Sequence, residues 1–115
     1  MYYELTKSQK KIARRVMDKG IEAHYLRGLT GAENILKKWR KSEMGITDAY
    51  MQLYKSVQRI DKHIGNVYND KGGSRWVEIM SLQLADGVIS LDDLADFEDD
   101  VREIIIRFSG IEWCL

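Results

Sequence analysis

Seven apolar side chains, Ile46, Tyr50, Leu53, Val57, Ile60, Ile64 and Val67, recur in alternating steps of four and three. That spacing keeps one side of an α-helix apolar over about three heptads. With Thr47 and Asp48 at its start, the segment predicts a helix of about twenty residues, roughly 30 Å long. A helix of that length with so complete a seam is expected to lie at the centre of a bundle, its seam covered by neighbours.

The flanking segments read as shorter helices. Thr6 is placed to cap a first helix over 7–27. Its apolar line is narrow: Ile12, Val16, Gly20 and Ala23. Gly20 costs about 1 kcal/mol relative to Ala in a helix interior, so it either breaks the helix or admits a close neighbour. Gly28 reads as a left-handed stop. Thr30 and Glu33 have capping-box spacing and open a second helix that turns Ile35, Leu36 and Trp39 inward. Gly45 falls in the turn before the long seam, which belongs to the third helix.

After a turn over 69–73, Ser74 is placed to cap a fourth helix with Trp76, Val77, Met80 and Leu84 inward, ended by Asp86 and Gly87. Ser90, with Asp93 as its capping-box partner, opens a fifth. Its seam is Leu94, Phe97, Val101, Ile104 and Phe108, and Gly110 stops it. Residues 111–115 form a short apolar tail. The chain has no proline and almost no two-residue alternation. The reading is therefore a single all-α domain over 1–115: a compact bundle of about five helices, antiparallel neighbours joined by short loops, the third and fifth forming the main core.

Composition adds little to that picture. At 115 residues, 44% hydrophobic and 31% charged, the chain can bury a core without disulfides. Its one cysteine, Cys114, forms no internal bridge, and a reducing cytoplasm is the simplest setting. The first residues lack the layout of a secretory signal, and no apolar run approaches the ~20 residues of a membrane span. A soluble protein with no membrane partner is expected.

Charge changes the picture more. Net charge is zero, yet residues 1–41 carry eleven Lys or Arg against four acids, and residues 42–115 carry seven against fourteen. Such a split suits a polyanion-binding end, or two parts of one assembly that attract each other. The candidate polyanion- or partner-binding residues are Lys7, Lys10, Lys11, Arg14 and Arg15 on the first helix and Lys37, Lys38 and Lys41 on the second. Asp18 and Ile21 dilute the first group. No helix-turn-helix, zinc finger or other reading module is present. The acids between Asp92 and Glu103 are candidates to face the basic helices, within the chain or across a dimer.

Lys71, Gly72, Gly73, Ser74 and Arg75 place amides, a hydroxyl and two cations before a helix start, an arrangement that can hold an anion. It is not a P-loop, since the Gly-x4-Gly-Lys order is missing. The stretch from Asp86 to Leu94 resembles the back half of an EF-hand calcium loop. On that pattern Asp86, Gly87, Ile89 and Asp93 take the fifth, sixth, eighth and twelfth places. The first and third then fall on Leu82 and Leu84, which have no oxygen to donate. A helix stop at Gly87 and a cap at Ser90 account for the same residues.

His24 and His63 have no second ligand at metal spacing and read as isolated. No nucleophile elbow or Rossmann fingerprint is present. The sequence therefore nominates no catalytic residue, metal or cofactor. The expected function is that of a non-catalytic interaction or adaptor protein, a homodimer or bound to another protein. Its alternative is a nucleic-acid-associated protein using the first two helices.

Overall fold

The computed structural model describes residues 4–69 and 75–110. It is all-helical, with four α-helices: α1 (Lys7–Arg40), α2 (Ile46–Tyr68), α3 (Trp76–Asp86) and α4 (Asp99–Ser109), plus a 3-10 turn at Leu91–Leu94. Thr6 caps α1 as expected, its Oγ1 accepting from the Gln9 amide at 3.3 Å. The helix then runs unbroken for 34 residues, about 50 Å, along a molecule whose longest extent is 53 Å.

Two expectations fail here for the same reason. Gly28 does not end a helix, and Thr30 and Glu33 do not begin one. The glycines of α1 serve close approach instead. A Cβ on Gly28 would lie 3.2 Å from Ile60 Cγ2, and one on Gly31 3.5 Å from Ser56 Oγ. Gly20 is tighter still: a Cβ there would meet Gln83 Nε2 at 2.2 Å. Without proline to stop it, α1 passes through all three positions. It ends in a Schellman motif in which the Glu43 amide donates to the Lys38 carbonyl (2.9 Å) and the Ser42 amide to Trp39 (3.0 Å). Ser42 adopts φ 60° there, a conformation usually left to glycine.

The central helix is α3, not the long-seamed α2. Val77, Ile79, Met80, Ser81, Gln83 and Leu84 are all buried, so α3 is covered nearly all round. Around it close Ala13, Val16 and Met17 of α1, Val67 and Tyr68 of α2, Leu94 and Phe97, and Val101 and Ile105 of α4. Of the long seam only Val67 is fully buried. The expected fifth helix is divided: Ser90 and Asp93 do form the capping box, but on the 3-10 turn, and α4 starts afresh at Asp99. A run of like charges, Asp92, Asp93, Asp96, Glu98, Asp99 and Asp100, spans the break. Aspartates have low helix propensity, and like charges one turn apart repel. From α1, the buried Gln9 helps restart α4 by accepting the Glu98 amide at 3.3 Å.

The bundle is drawn out. Its radius of gyration is 17.2 Å, against about 13 Å for a spherical domain of this length. One end holds the core. The other is an antiparallel arm, formed by α1 beyond His24 and by α2 up to about Lys62. No helix among the described residues is long and apolar enough to cross a membrane.

Candidate functional site

Two features stand out. The first lies at the root of the arm, where three elements meet. His24 of α1 is 3% exposed, and its ring meets His63 of α2 edge-on, centroids 5.4 Å apart. Asp86 at the end of α3 lies under both: its Oδ2 is 3.0 Å from His24 Nε2 and 2.6 Å from His63 Nε2. The other nitrogen of His24, Nδ1, is 2.7 Å from the Tyr68 hydroxyl. A carboxylate only accepts, so neutral His24 carries its proton on Nε2 and takes one from Tyr68 at Nδ1. Gln83, wholly buried, donates from Nε2 to the Tyr68 oxygen (2.9 Å) and to the Met17 carbonyl (3.0 Å).

Burial pushes the Asp86 carboxyl up, but the bonds from His63 and His24 outweigh it and hold the group below the ordinary carboxylate value. Burial raises the Tyr68 phenol, helped by the charge of Asp86 and opposed by the bond from Gln83. His24, His63 and Asp86 are the one group of three potential metal-ligating side chains found together among the described residues.

The second feature is the arm itself. Tyr25, Leu29, Ala32, Leu36 and Trp39 recur on α1 in the same four-and-three steps as the α2 seam. The two stripes line a shallow groove along one face of the hairpin. Near the root it is bounded by Leu29, Ala32, Val57 and Ile60, and near the tip by Leu36, Trp39, Ile46, Tyr50 and Leu53. Among the described residues nothing covers it: Ile46 is 75% exposed, Leu29 70% and Tyr50 68%. The opposite face is mostly polar, with Gln52, Lys55, Ser56 and Arg59 around Ile35.

The nominated basic residues do not form one surface. Lys7, Lys11 and Arg14 rim an open depression beside Thr6 and Ser8, with Lys10 beside them in sequence. Arg14 also stacks on Trp76 at 5.3 Å, and Arg15 pairs with Asp96 at 2.6 Å. Lys37, Lys38 and Lys41 lie at the arm's tip, about 45 Å along the rod from Lys7, and Lys37 pairs with Glu33 at 3.2 Å. Lys19, which was not nominated, binds Asp93 at 2.5 Å. The expected attraction between the basic and acidic parts of one chain is thus present, through two pairs.

Of the anion-loop candidates, Lys71, Gly72, Gly73 and Ser74 lie outside the described residues, as do the tail over 111–115 and Cys114. Arg75 is held by Glu78 at 3.1 Å and by the Asn69 carbonyl.

The histidine cluster was the feature sequence reading missed, and a signal for it existed. An antiparallel hairpin turning at about residue 43 sets side by side residues whose numbers add to about 87, as Gly31 and Ser56 do. His24 and His63 obey the same relation. Reading Gly28 as a stop hid it. No protein-family model, curated protein or solved structure matches this chain.

Proposed function

We propose that this is a non-catalytic interaction protein that works as a homodimer, two copies joining through the apolar faces of their arms. The observation that carries the reading is the pair of exposed heptad stripes, Tyr25 to Trp39 on α1 and Ile46 to Ile64 on α2. A two-helix hairpin with one apolar face is half of a four-helix bundle, and a second identical hairpin is its simplest complement. The face measures about 21 Å along α1, about 27 Å along α2 and about 20 Å across, from helix rise and diameter. That footprint of roughly 500 Å² is below the roughly 800 Å² per partner of a standard interface and within the range of the large apolar patches that are often functional. Exposed apolar surface of that extent marks an interaction site more often than idle surface.

Sedimentation equilibrium tests the reading. The chain should reach a dimer mass, and Leu29→Glu with Val57→Glu should return it to a monomer whose helical circular dichroism is unchanged. A wild-type chain that stays monomeric at high concentration would sink it. The nucleic-acid alternative has a thinner surface, since Arg15 and Lys19 are engaged with acids and the two lysine groups stand far apart. Its test is duplex binding that weakens steeply with salt.

A further inference from the structure

We propose that His24, His63 and Asp86 form a binding site for one divalent first-row transition metal ion of the zinc type, at the root of the arm. This does not rest on the dimer. Three separate helices deliver the three donors, and both Nε2 atoms converge on one carboxylate oxygen at 3.0 and 2.6 Å. The rings stand at 76° to each other, so their nitrogens approach that oxygen from different directions. All three donor atoms fall within 4.8 Å of one another. A tetrahedral ion with bonds of about 2.0–2.1 Å needs its donors roughly 3.3 Å apart. Asp86, partly exposed at the end of α3, therefore has to withdraw by less than about 1 Å, while the two imidazole nitrogens, within 4.8 Å of each other, close by up to about 1.5 Å. The ion then takes the place of the two imidazole protons that now point at the carboxylate.

The donor set selects the class of ion. Two imidazoles and one carboxylate suit zinc, cobalt, nickel or ferrous iron, whereas calcium asks for six or more oxygens and magnesium for an oxygen octahedron. His24 is held for the task from behind. When Nε2 turns to the metal its proton moves to Nδ1, the Tyr68 hydroxyl hydrogen rotates out of the Nδ1 contact, and Nδ1 donates to the Tyr68 oxygen 2.7 Å away. Such a bond fixes the ring of a ligating histidine. Tyr68 is itself fixed by Gln83. The His63 side is open, its side chain 48% exposed, and leaves at least one coordination position to water.

The test uses the untagged chain, stripped of metal by a chelator and titrated with Co²⁺, followed by visible ligand-field absorption. Zinc is then added as competitor. One cobalt per chain should bind with the strong bands of a four-coordinate ion, and zinc should displace it. His63→Ala, at a half-exposed position, should weaken binding at least about 100-fold, and Tyr68→Phe about 10- to 100-fold. Circular dichroism of both variants keeps loss of binding distinct from loss of fold. Absence of saturable binding up to about 1 mM cobalt overturns the proposal. So does binding that His63→Ala and Asp86→Asn leave unchanged, because the ion then sits elsewhere.

Discussion

The two ends of this molecule use the same pattern of apolar residues and meet opposite fates. At the core end, Val16 and Met17 of α1, α3, and Val101 and Ile105 of α4 close around one another until Val77, Ile79, Met80 and Ile105 lose all contact with water. Along the arm, the stripes on α1 and α2 are as regular, yet their side chains stand largely exposed. Periodicity marks a face as apolar; it does not say whether, or by what, that face is covered. The short α3 shows no strong stripe, because it is apolar nearly all round. That is the mark of a helix with neighbours on every side.

The sharpest way to break this comparison is to shave both ends alike. Ile79→Ala and Ile105→Ala should each cost about 2–5 kcal/mol of unfolding free energy, through lost transfer energy and the cavity left behind. Ile46→Ala and Val57→Ala should cost under about 0.5 kcal/mol in the dilute monomer, since they empty no packed site. Urea unfolding at two protein concentrations reads both. If the arm variants cost as much as the core variants at dilution, the groove is covered within one chain and the contrast between the ends is false.

Two glycines sharpen it further. Gly20→Ala adds a methyl 2.2 Å from Gln83 Nε2, on a side chain that is buried and bonded to both Met17 and Tyr68. Ordinarily the exchange gains about 1 kcal/mol of helix propensity. Here it should lose about 1–3 kcal/mol net, because displacing Gln83 leaves buried polar groups unpaired. Gly65, in the interior of α2, has nothing within 4 Å of its missing Cβ. Gly65→Ala should raise stability by about 1 kcal/mol. Thermal unfolding of the two variants side by side checks the signs, and a stabilised Gly20→Ala would show that the α1–α3 contact is looser than described.

These positions also explain what could be read from the residues alone. Helical class, the Thr6 cap, the Ser90–Asp93 box and the stop at Gly87 are local, decided within a few residues, and they were legible. The continuity of α1 was not. Gly28 is equally suited to ending a helix and to admitting Ile60, and only the neighbour decides. The same holds for Gly20, for which close approach was one of two readings and is the one that Gln83 selects. The histidine cluster was hidden because its members are dozens of residues apart on three helices, and they meet only once the hairpin register is known. Exposure of the long seam was illegible for a deeper reason. Burial depends on what packs against a face, and the periodicity of one chain does not state that.

The smallest effect concerns charge, and it too divides the ends. Among the described residues, the Lys and Arg ion pairs that join different elements, Arg15–Asp96 and Lys19–Asp93, lie at the core end. The arm beyond its root has only Glu33–Lys37, within one helix. Asp93 is the better placed of the acids. Its Oδ1 receives Lys19 at 2.5 Å, while Oδ2 accepts the Ser90 amide at 2.7 Å. The bond from Lys19, with lesser help from the Ser90 amide and hydroxyl and against a burial effect, holds its carboxyl below the usual 3.8. A depressed carboxyl stabilises the fold fully above its unfolded value and loses that contribution as pH falls through the folded one. Asp93→Asn should therefore cost about 1 kcal/mol at pH 7, the scale of a lost helix cap, and progressively less below about pH 4. Urea midpoints of wild type and variant between pH 7 and pH 3 check this. Curves that stay parallel through the acid range would mean that Lys19 and Ser90 do not favour the charged form, and that apolar contact alone docks the 3-10 turn on α1.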